Sequence, residues 1–238
     1  MSLEVDIHKA QTSILRELLF QREAGFTDLQ KPTQLSSDNF SFHIRRLVDV
    51  GYVEKVSKGK YRLTSHGKEF ANKLDTDHNT VERQPKVAVI LSIERNHDGE
   101  QQFLLQQRLK HPFFEFWGFP SGKVRWGEQL TDAGARELKE ETGLTANCRH
   151  AGIYHELVYL EETGELLEDK IFHVIHCTDI KGEMIDRFEG GRNQWMTREQ
   201  ALEQDKIYGS FDIEVNISQS KDAYNFVEQK VEYSKTLF

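Results

Sequence analysis

Apolar residues near the start of the chain recur with a helical period. Ile14, Leu15, Leu18 and Leu19 fall at i, i+1, i+4 and i+5, which predicts a helix running back toward Ile7. Thr27 and Gln30 in TDLQ have the spacing of a capping box, predicting a short second helix limited by Pro32. Ser36 or Ser37 can cap a third, whose apolar face is Phe40, Ile44, Leu47 and Val48, and Gly51 stops it. YVEKVSKGKYRLT then reads as two short strands around Ser57-Lys58-Gly59-Lys60, and a last helix covers His66 to Leu74.

Beyond residue 86 the pattern changes to strands. KVAVILSI (86–93) and QFLLQQRL (102–109) are apolar runs separated by the turn-forming NHDGE. IYHELVYL and KIFHVIHCT form a second pair around the acidic stretch 159–170. Between the helical front and this second part, DTDHNTVERQPK (75–86) is polar and has no apolar period, as a linker would.

Charge supports the division. Residues 1–80 hold 12 Lys+Arg against 11 Asp+Glu, whereas residues 81–238 hold 19 against 28, so two units with different partners are expected. The chain's 37% hydrophobic content is sufficient for real cores, and no apolar run approaches a membrane span. The start, MSLEVDIHKA, is not a signal peptide, so a cytoplasmic protein without a membrane partner is expected. Cys148 and Cys177 show no metal spacing and read as two buried thiols in a reducing compartment.

The candidate chemistry lies in RELKEETGL (136–144). On a helix, Glu137, Glu140 and Glu141 project onto one face, and such like charges cost about 0.2–0.5 kcal/mol per pair. Either that repulsion is tolerated on a solvated face or a cation sits in front of it, and hard oxygen ligands of this kind suit Mg²⁺ or Mn²⁺. The helix is expected to begin near Thr131 or Asp132 and to end at Gly143, with Leu138 anchoring it and Lys139 in solvent.

Read from Gly122, the same stretch gives Gly122, Glu128, Arg136-Glu137-Leu138, Glu140-Glu141 and Gly143-Leu144. This resembles the Nudix box, G-x5-E-x7-R-E-U-x-E-E-x-G-U with U apolar, at all nine fixed positions. The resemblance implies Mg²⁺-dependent hydrolysis of a nucleoside diphosphate linked to some group X. By position, Glu140 and Glu141 are metal ligands, Glu137 is a further ligand or the base, and the carbonyl of Ser121 is an added oxygen ligand. Arg136 and Glu128 orient the carboxylates. In many relatives the base comes from a loop outside the box. Here the stretch 159–170 offers Glu161, Glu162, Glu165, Glu168 and Asp169, and Glu189 is a further candidate.

For the substrate, Arg108 and Arg125 can pair with phosphates, Gly122 stands beside them, and the aromatics of HPFFEFW (111–117) can stack on a base or pack a core. His155, His173 and His176 read as ordinary strand residues. None of these separates ADP-ribose from a nucleotide sugar or a nucleoside triphosphate.

The phrase HIRRLVDVGYVEKVSKGKYRLTSHG (43–67) resembles the recognition helix and wing of a winged helix-turn-helix domain. In the DNA-reading arrangement, the solvent face of the third helix, with Ser41, Arg45 and Arg46, enters the major groove of double-stranded DNA, and Lys58 and Lys60 at the wing touch phosphates. Asp38, Asp49 and the near-neutral balance oppose this, and the other use of such a domain is dimerisation, giving a homodimer, or protein docking. The expected class is α+β: a winged helix-turn-helix domain over 1–76, a linker over 77–86, and a Nudix α/β/α sandwich with a mixed sheet over 87–238. The pair is similar to Nudix-related transcription regulators with the domain order reversed. Three readings follow: a nucleotide diphosphatase, a regulator that senses a nucleotide metabolite, and an interaction protein.

Overall fold

The computed structural model describes residues 7–222 and 224–238. The chain divides into two compact units between Arg83 and Gln84.

The front unit begins with α1 (Lys9–Leu19), whose N-cap is His8: its ring accepts from the Ala10 N–H, and Gln11 reaches back to the His8 N–H. Next come β1 (Ala24–Gly25), α2 (Phe26–Gln30) and α3 (Ser37–Asp49). α3 is capped by Ser36, and Phe40, Ile44 and Leu47 are buried as the period requires. β2 (Val53–Ser57), β3 (Lys60–Leu63), α4 (Ser65–Ala71), β4 (Leu74–Asp75) and β5 (Thr80–Val81) complete the unit. β1, β3 and β2 form a three-stranded sheet in that order, and its hairpin turns at Gly59, where φ is +74°.

Two local expectations fail here. Gly25, not Thr27, is the N-cap of α2, and no side chain caps it. The reason is tertiary: Gly25 pairs with Lys60 on β3 and the Phe26 N–H bonds the Gly59 carbonyl, which starts the helix before Thr27 is reached. The closing helix ends at Ala71, and Leu74 enters β4, which pairs with β5. The polar stretch after it is tied to α1, since Thr12 donates to the Asn79 carbonyl and Arg16 Nε to the Thr76 carbonyl.

The second unit runs through β6 (Lys86–His97), β7 (Glu100–Arg108), β8 (Trp117–Gly118), β9 (Ser121–Lys123), α5 (Leu130–Thr142), β10 (Thr145–Leu160) and β11 (Leu166–Lys181). It ends with β12 (Arg187–Phe188), β13 (Gly191–Met196), α6 (Arg198–Leu202), α7 (Phe211–Gln219) and β14 (Phe226–Tyr233). Among the described residues one nine-stranded sheet runs β12-β13-β7-β6-β11-β10-β14, with β8 on β7 and β9 on β6. It is mixed: β11 runs parallel to β6 and β14 parallel to β10, while the other pairs are antiparallel. One core packs Val89, Leu91, Ile175 and Cys177 against Ala133 and Leu138 of α5. Another packs Ile90, Phe103, Tyr154 and Val174 against Phe211 and Val215 of α7. Alternate residues of the same strands thus feed opposite layers, with a helix on each face.

β10 and β11 are 16 residues each, so the stretch read as a loop over 159–170 shrinks to a turn at 161–165. Glu168 and Asp169 are therefore strand residues. The two cysteines face each other across this pair with their Sγ atoms 2.8 Å apart; both are free, Cys177 buried and Cys148 half-buried. Among the described residues no helix is long and apolar enough to cross a membrane.

Candidate active site

α5 carries the acidic residues, and its boundaries follow from its ends. It starts at Leu130, one residue before the expected start, behind Gln129, which makes no side-chain cap. It stops at Gly143 (φ +74°), whose left-handed conformation costs glycine no Cβ clash, and Lys139 Nζ donates to the Gly143 carbonyl.

β9 brings the first box residue against this helix. Gly122 lies opposite Val89 on β6, and a Cβ on Gly122 would stand 1.9 Å from Cδ and 2.2 Å from Oε1 of Glu137. The carboxylate of Glu137 therefore fills the space that any side chain at 122 would need, which is why glycine is required there. Leu91 N–H bonds the Pro120 carbonyl and Val124 N–H the Val87 carbonyl. In an antiparallel ladder that alternation turns the carbonyl of Ser121 away from β6, leaving it available as an oxygen ligand.

Arg136 organises the carboxylates. Its Nε and Nη2 donate to the two oxygens of Glu128 at 2.7 and 2.8 Å. Nη1 donates to Glu137 Oε1 at 2.6 Å and to Glu140 Oε2 at 3.2 Å, and Nη2 also reaches the Lys123 carbonyl. Glu128 additionally accepts from the Arg125 N–H, and Arg136 first and this bond next hold its carboxyl down at about 2. The Arg125 guanidinium lies on Glu140 at 3.3 Å. Trp126, next in the chain after Arg125, is 92% exposed.

The three helix carboxylates thus have distinct surroundings. Glu137 is buried, Glu140 is exposed between two arginines, and Glu141 is half-buried with Gln106 Nε2 on its Oε2 at 3.1 Å. Asn193 on β13 steadies this corner by donating to the carbonyls of Glu141 and Ile185 at 2.8 Å each. Burial raises the Glu141 pKa, and the charge of Glu137 adds to the rise against the opposing Gln106 bond. Among the described residues no three acidic, His or Cys side chains already stand together as a metal cage, because Arg136, Arg125 and Gln106 engage them separately. The donor set nevertheless suits a divalent cation: hard oxygens only, one backbone carbonyl turned outward, and two carboxylates whose mutual repulsion a cation would relieve.

Ser121, Gly122, Glu137 and Glu141 line a cavity of about 550 Å³ together with Arg108 and Lys110. Arg108 is partly committed, since its guanidinium donates to the carbonyls of Pro112 and His111. Of the aromatics in HPFFEFW, Phe113, Phe116 and Trp117 are buried and Phe114 is 41% exposed. The acids of the 161–165 turn stay exposed, whereas Glu168 enters the cavity wall between Lys86 and Lys170. His155 lies between Asp169 and Glu228, His176 on Glu94, and His173 on His150.

Sequence reasoning missed Gln106, Asn193, Glu156 and Glu214. The signal existed for the last two, since each puts a carboxylate on the apolar period of its element, between Tyr154 and Val158 on β10 and between Phe211 and Val215 on α7. Both are buried and line the same cavity.

The comparisons with known proteins concern this unit. The NUDIX domain profile matches residues 83–213. The ADP-ribose pyrophosphatase of Methanocaldococcus jannaschii is 32% identical over 99 residues, covering 40% of this chain and 56% of that protein; the match thus spans little more than half of the relative's length. Among solved structures, the NUDIX domain of Shewanella oneidensis NrtR complexed with ADP ribose has a TM-score of 0.51 at 16% identity, covering 66% of this chain and 97% of that one. A MutT protein from Bacillus halodurans gives 0.50 at 23% identity, covering 64% and 93%. At these identities the structures establish the fold.

Burial without a cationic partner pushes Glu214 up from 4.5 to about 7. The folded state thus holds this proton more tightly than the unfolded chain. Its contribution to stability is fully present below pH 4.5 and is lost as pH rises through about 7. Denaturant titrations across that window should show Glu214→Gln removing a decline on the order of 3 kcal/mol; an unchanged pH profile would contradict the assignment.

Proposed function

Because the chain belongs to the NUDIX domain family, we propose that it is a divalent-metal-dependent hydrolase that cleaves the pyrophosphate of a nucleoside diphosphate linked to a second group, with ADP-ribose the first candidate. The observation that carries this reading is the lodging of Glu137 against Gly122, with Arg136 gripping Glu137, Glu128 and Glu140 beside a nucleotide-sized cavity. ADP-ribose is favoured by the name of the archaeal relative and by the ligand in the Shewanella oneidensis structure.

In this reading Mg²⁺ or Mn²⁺ is held by Glu137, Glu140, Glu141 and the Ser121 carbonyl, and when bound it supplies Lewis acidity toward a phosphoryl oxygen and acidifies water. Arg136 engages Oε1 of Glu137, which leaves Oε2 to ligate or to accept a proton from the attacking water. Arg136 and Glu128 keep the helix carboxylates oriented. Arg108 and Lys110 offset the charge of the diphosphate.

A second reading, compatible with the first, treats the front unit as a winged helix that binds double-stranded DNA and the chain as a metabolite-responsive regulator. Arg45 and Arg46 on α3 and Lys58 and Lys60 at the β2–β3 hairpin are exposed, and among the described residues none of the four is drawn into an ion pair. Ser41 stands half-buried on the same helix.

Incubation with Mg²⁺ and a panel of ADP-ribose, NAD, nucleotide sugars, dinucleoside polyphosphates and triphosphates should give one efficiently cleaved substrate. Glu141→Gln should lower turnover by about 100-fold or more, and Gly122→Ala, which displaces the Glu137 carboxylate while leaving the fold intact, by about 100-fold. Full activity in both variants would sink the site. For the second reading, electrophoretic mobility shifts on DNA from upstream of the chain's own operon should weaken with Arg46→Ala and Lys60→Ala and fall with salt; salt-insensitive binding, or none, would exclude it.

A further inference from the structure

The cavity holds two electrostatic neighbourhoods. One joins Glu141 with Glu137, Arg108 and Lys110. The other, away from the box, joins Glu156 on β10, Glu168 on β11 and Glu214 on α7 with Lys170. The members of the second are unequally satisfied. Glu168 is matched by Lys86 Nζ at 3.0 Å and by Lys170. Glu156 accepts from the Tyr154 hydroxyl at 3.1 Å and stands opposite Lys170 in the ladder. Glu214 is 4% exposed, with the Ser210 side chain beside its carboxyl and no cation on it among the described residues.

A carboxylate buried in this way is costly to the fold, and one that lines a cavity is a candidate contact for a ligand. Four rings, Phe113, Phe119, Phe172 and Tyr208, line the same cavity, and flat apolar surface of this kind suits a planar group. We propose that Glu214, with Glu156 beside it, is the base-specificity element of the nucleotide site: its free oxygen accepts a hydrogen bond from an exocyclic amino group, selecting an adenine or cytosine nucleotide over its deaminated counterpart. This rests on the reading of the cavity as the nucleotide site.

The preference follows from what the wall offers. An ionised carboxylate only accepts. An amino group brings N–H donors to it, whereas at the same position the keto oxygen of hypoxanthine or uracil sets acceptor against acceptor and leaves only the neighbouring ring N–H to bond the carboxylate. Sites built to hydrogen-bond a particular donor reject the analogue that lacks it for this reason. A protonated carboxyl donates from one oxygen and accepts at the other and so pairs with either edge; the preference belongs to the ionised form, which prevails above about pH 7.

The test uses the full chain and nucleoside monophosphates, which carry the base but no anhydride to cleave. Calorimetric titration with AMP and IMP, and with CMP and UMP, in Mg²⁺ and at a pH above the titration of Glu214 at about 7, should show at least one aminated member binding about tenfold or more tighter than its partner. In Glu214→Leu that ratio should collapse to about one, and in the near-isosteric Glu214→Gln, which keeps an accepting oxygen, it should be reduced but present; circular dichroism establishes that each is folded. Equal binding within both pairs, no binding of any of the four, or an undiminished ratio in folded Glu214→Leu would overturn the proposal. The outcome separates from that of the hydrolase reading. Efficient cleavage with equal base affinities sinks this inference alone, and selective binding without cleavage of any diphosphate leaves it standing.

Discussion

The candidate site depends on one guanidinium. Arg136 spends its N–H groups on Glu128, Glu137, Glu140 and the Lys123 carbonyl. That set joins the loop before α5, the end of β9 and one face of the helix. A lysine would bring a single point of charge and could not span three carboxylates with fixed directions. The contact needs the helix close to the strand, and closeness is supplied by Gly122, where the missing side chain leaves room for Glu137. Remove either and the acidic face loses its orientation without the sheet losing its core.

The rest of the unit holds that contact in place. Leu138 and Ala133 fix α5 on one layer of the sheet. On the other layer, α7 carries Glu214 to the cavity while Phe211 and Val215 anchor it. The cavity is therefore bounded by residues from both faces and from β10 and β11, with phosphate-compatible cations and buried carboxyls in one space. A diphosphate with an organic group attached matches that mixture of charge, ring surface and acceptors.

Much of this was legible in the chain. The box spacing, the Gly143 stop and the α3 period were local patterns, and local patterns survive folding. What the sequence hid was tertiary. Gly25 caps α2 because of its pairing with Lys60, which no window around Thr27 contains. Glu168 moved from a supposed loop into a wall because β10 and β11 continue through polar residues that their pairing satisfies. Gln106 and Asn193 are opposite one another on β7 and β13, 87 residues apart in sequence, and only the sheet register brings them to Glu141. Arg108 looked free for phosphate and is partly occupied by the carbonyls of the loop that follows it.

Trp126 has a practical consequence. Of the three tryptophans, Trp117 is buried and Trp195 lies under the Arg95 guanidinium, whereas Trp126 stands in water on the loop stitched to Glu128 and Glu140 through Arg125. A ligand that draws Arg125 off Glu140 acts on the residue next to this ring, so Trp126 is the tryptophan whose surroundings a ligand at the acidic face would alter.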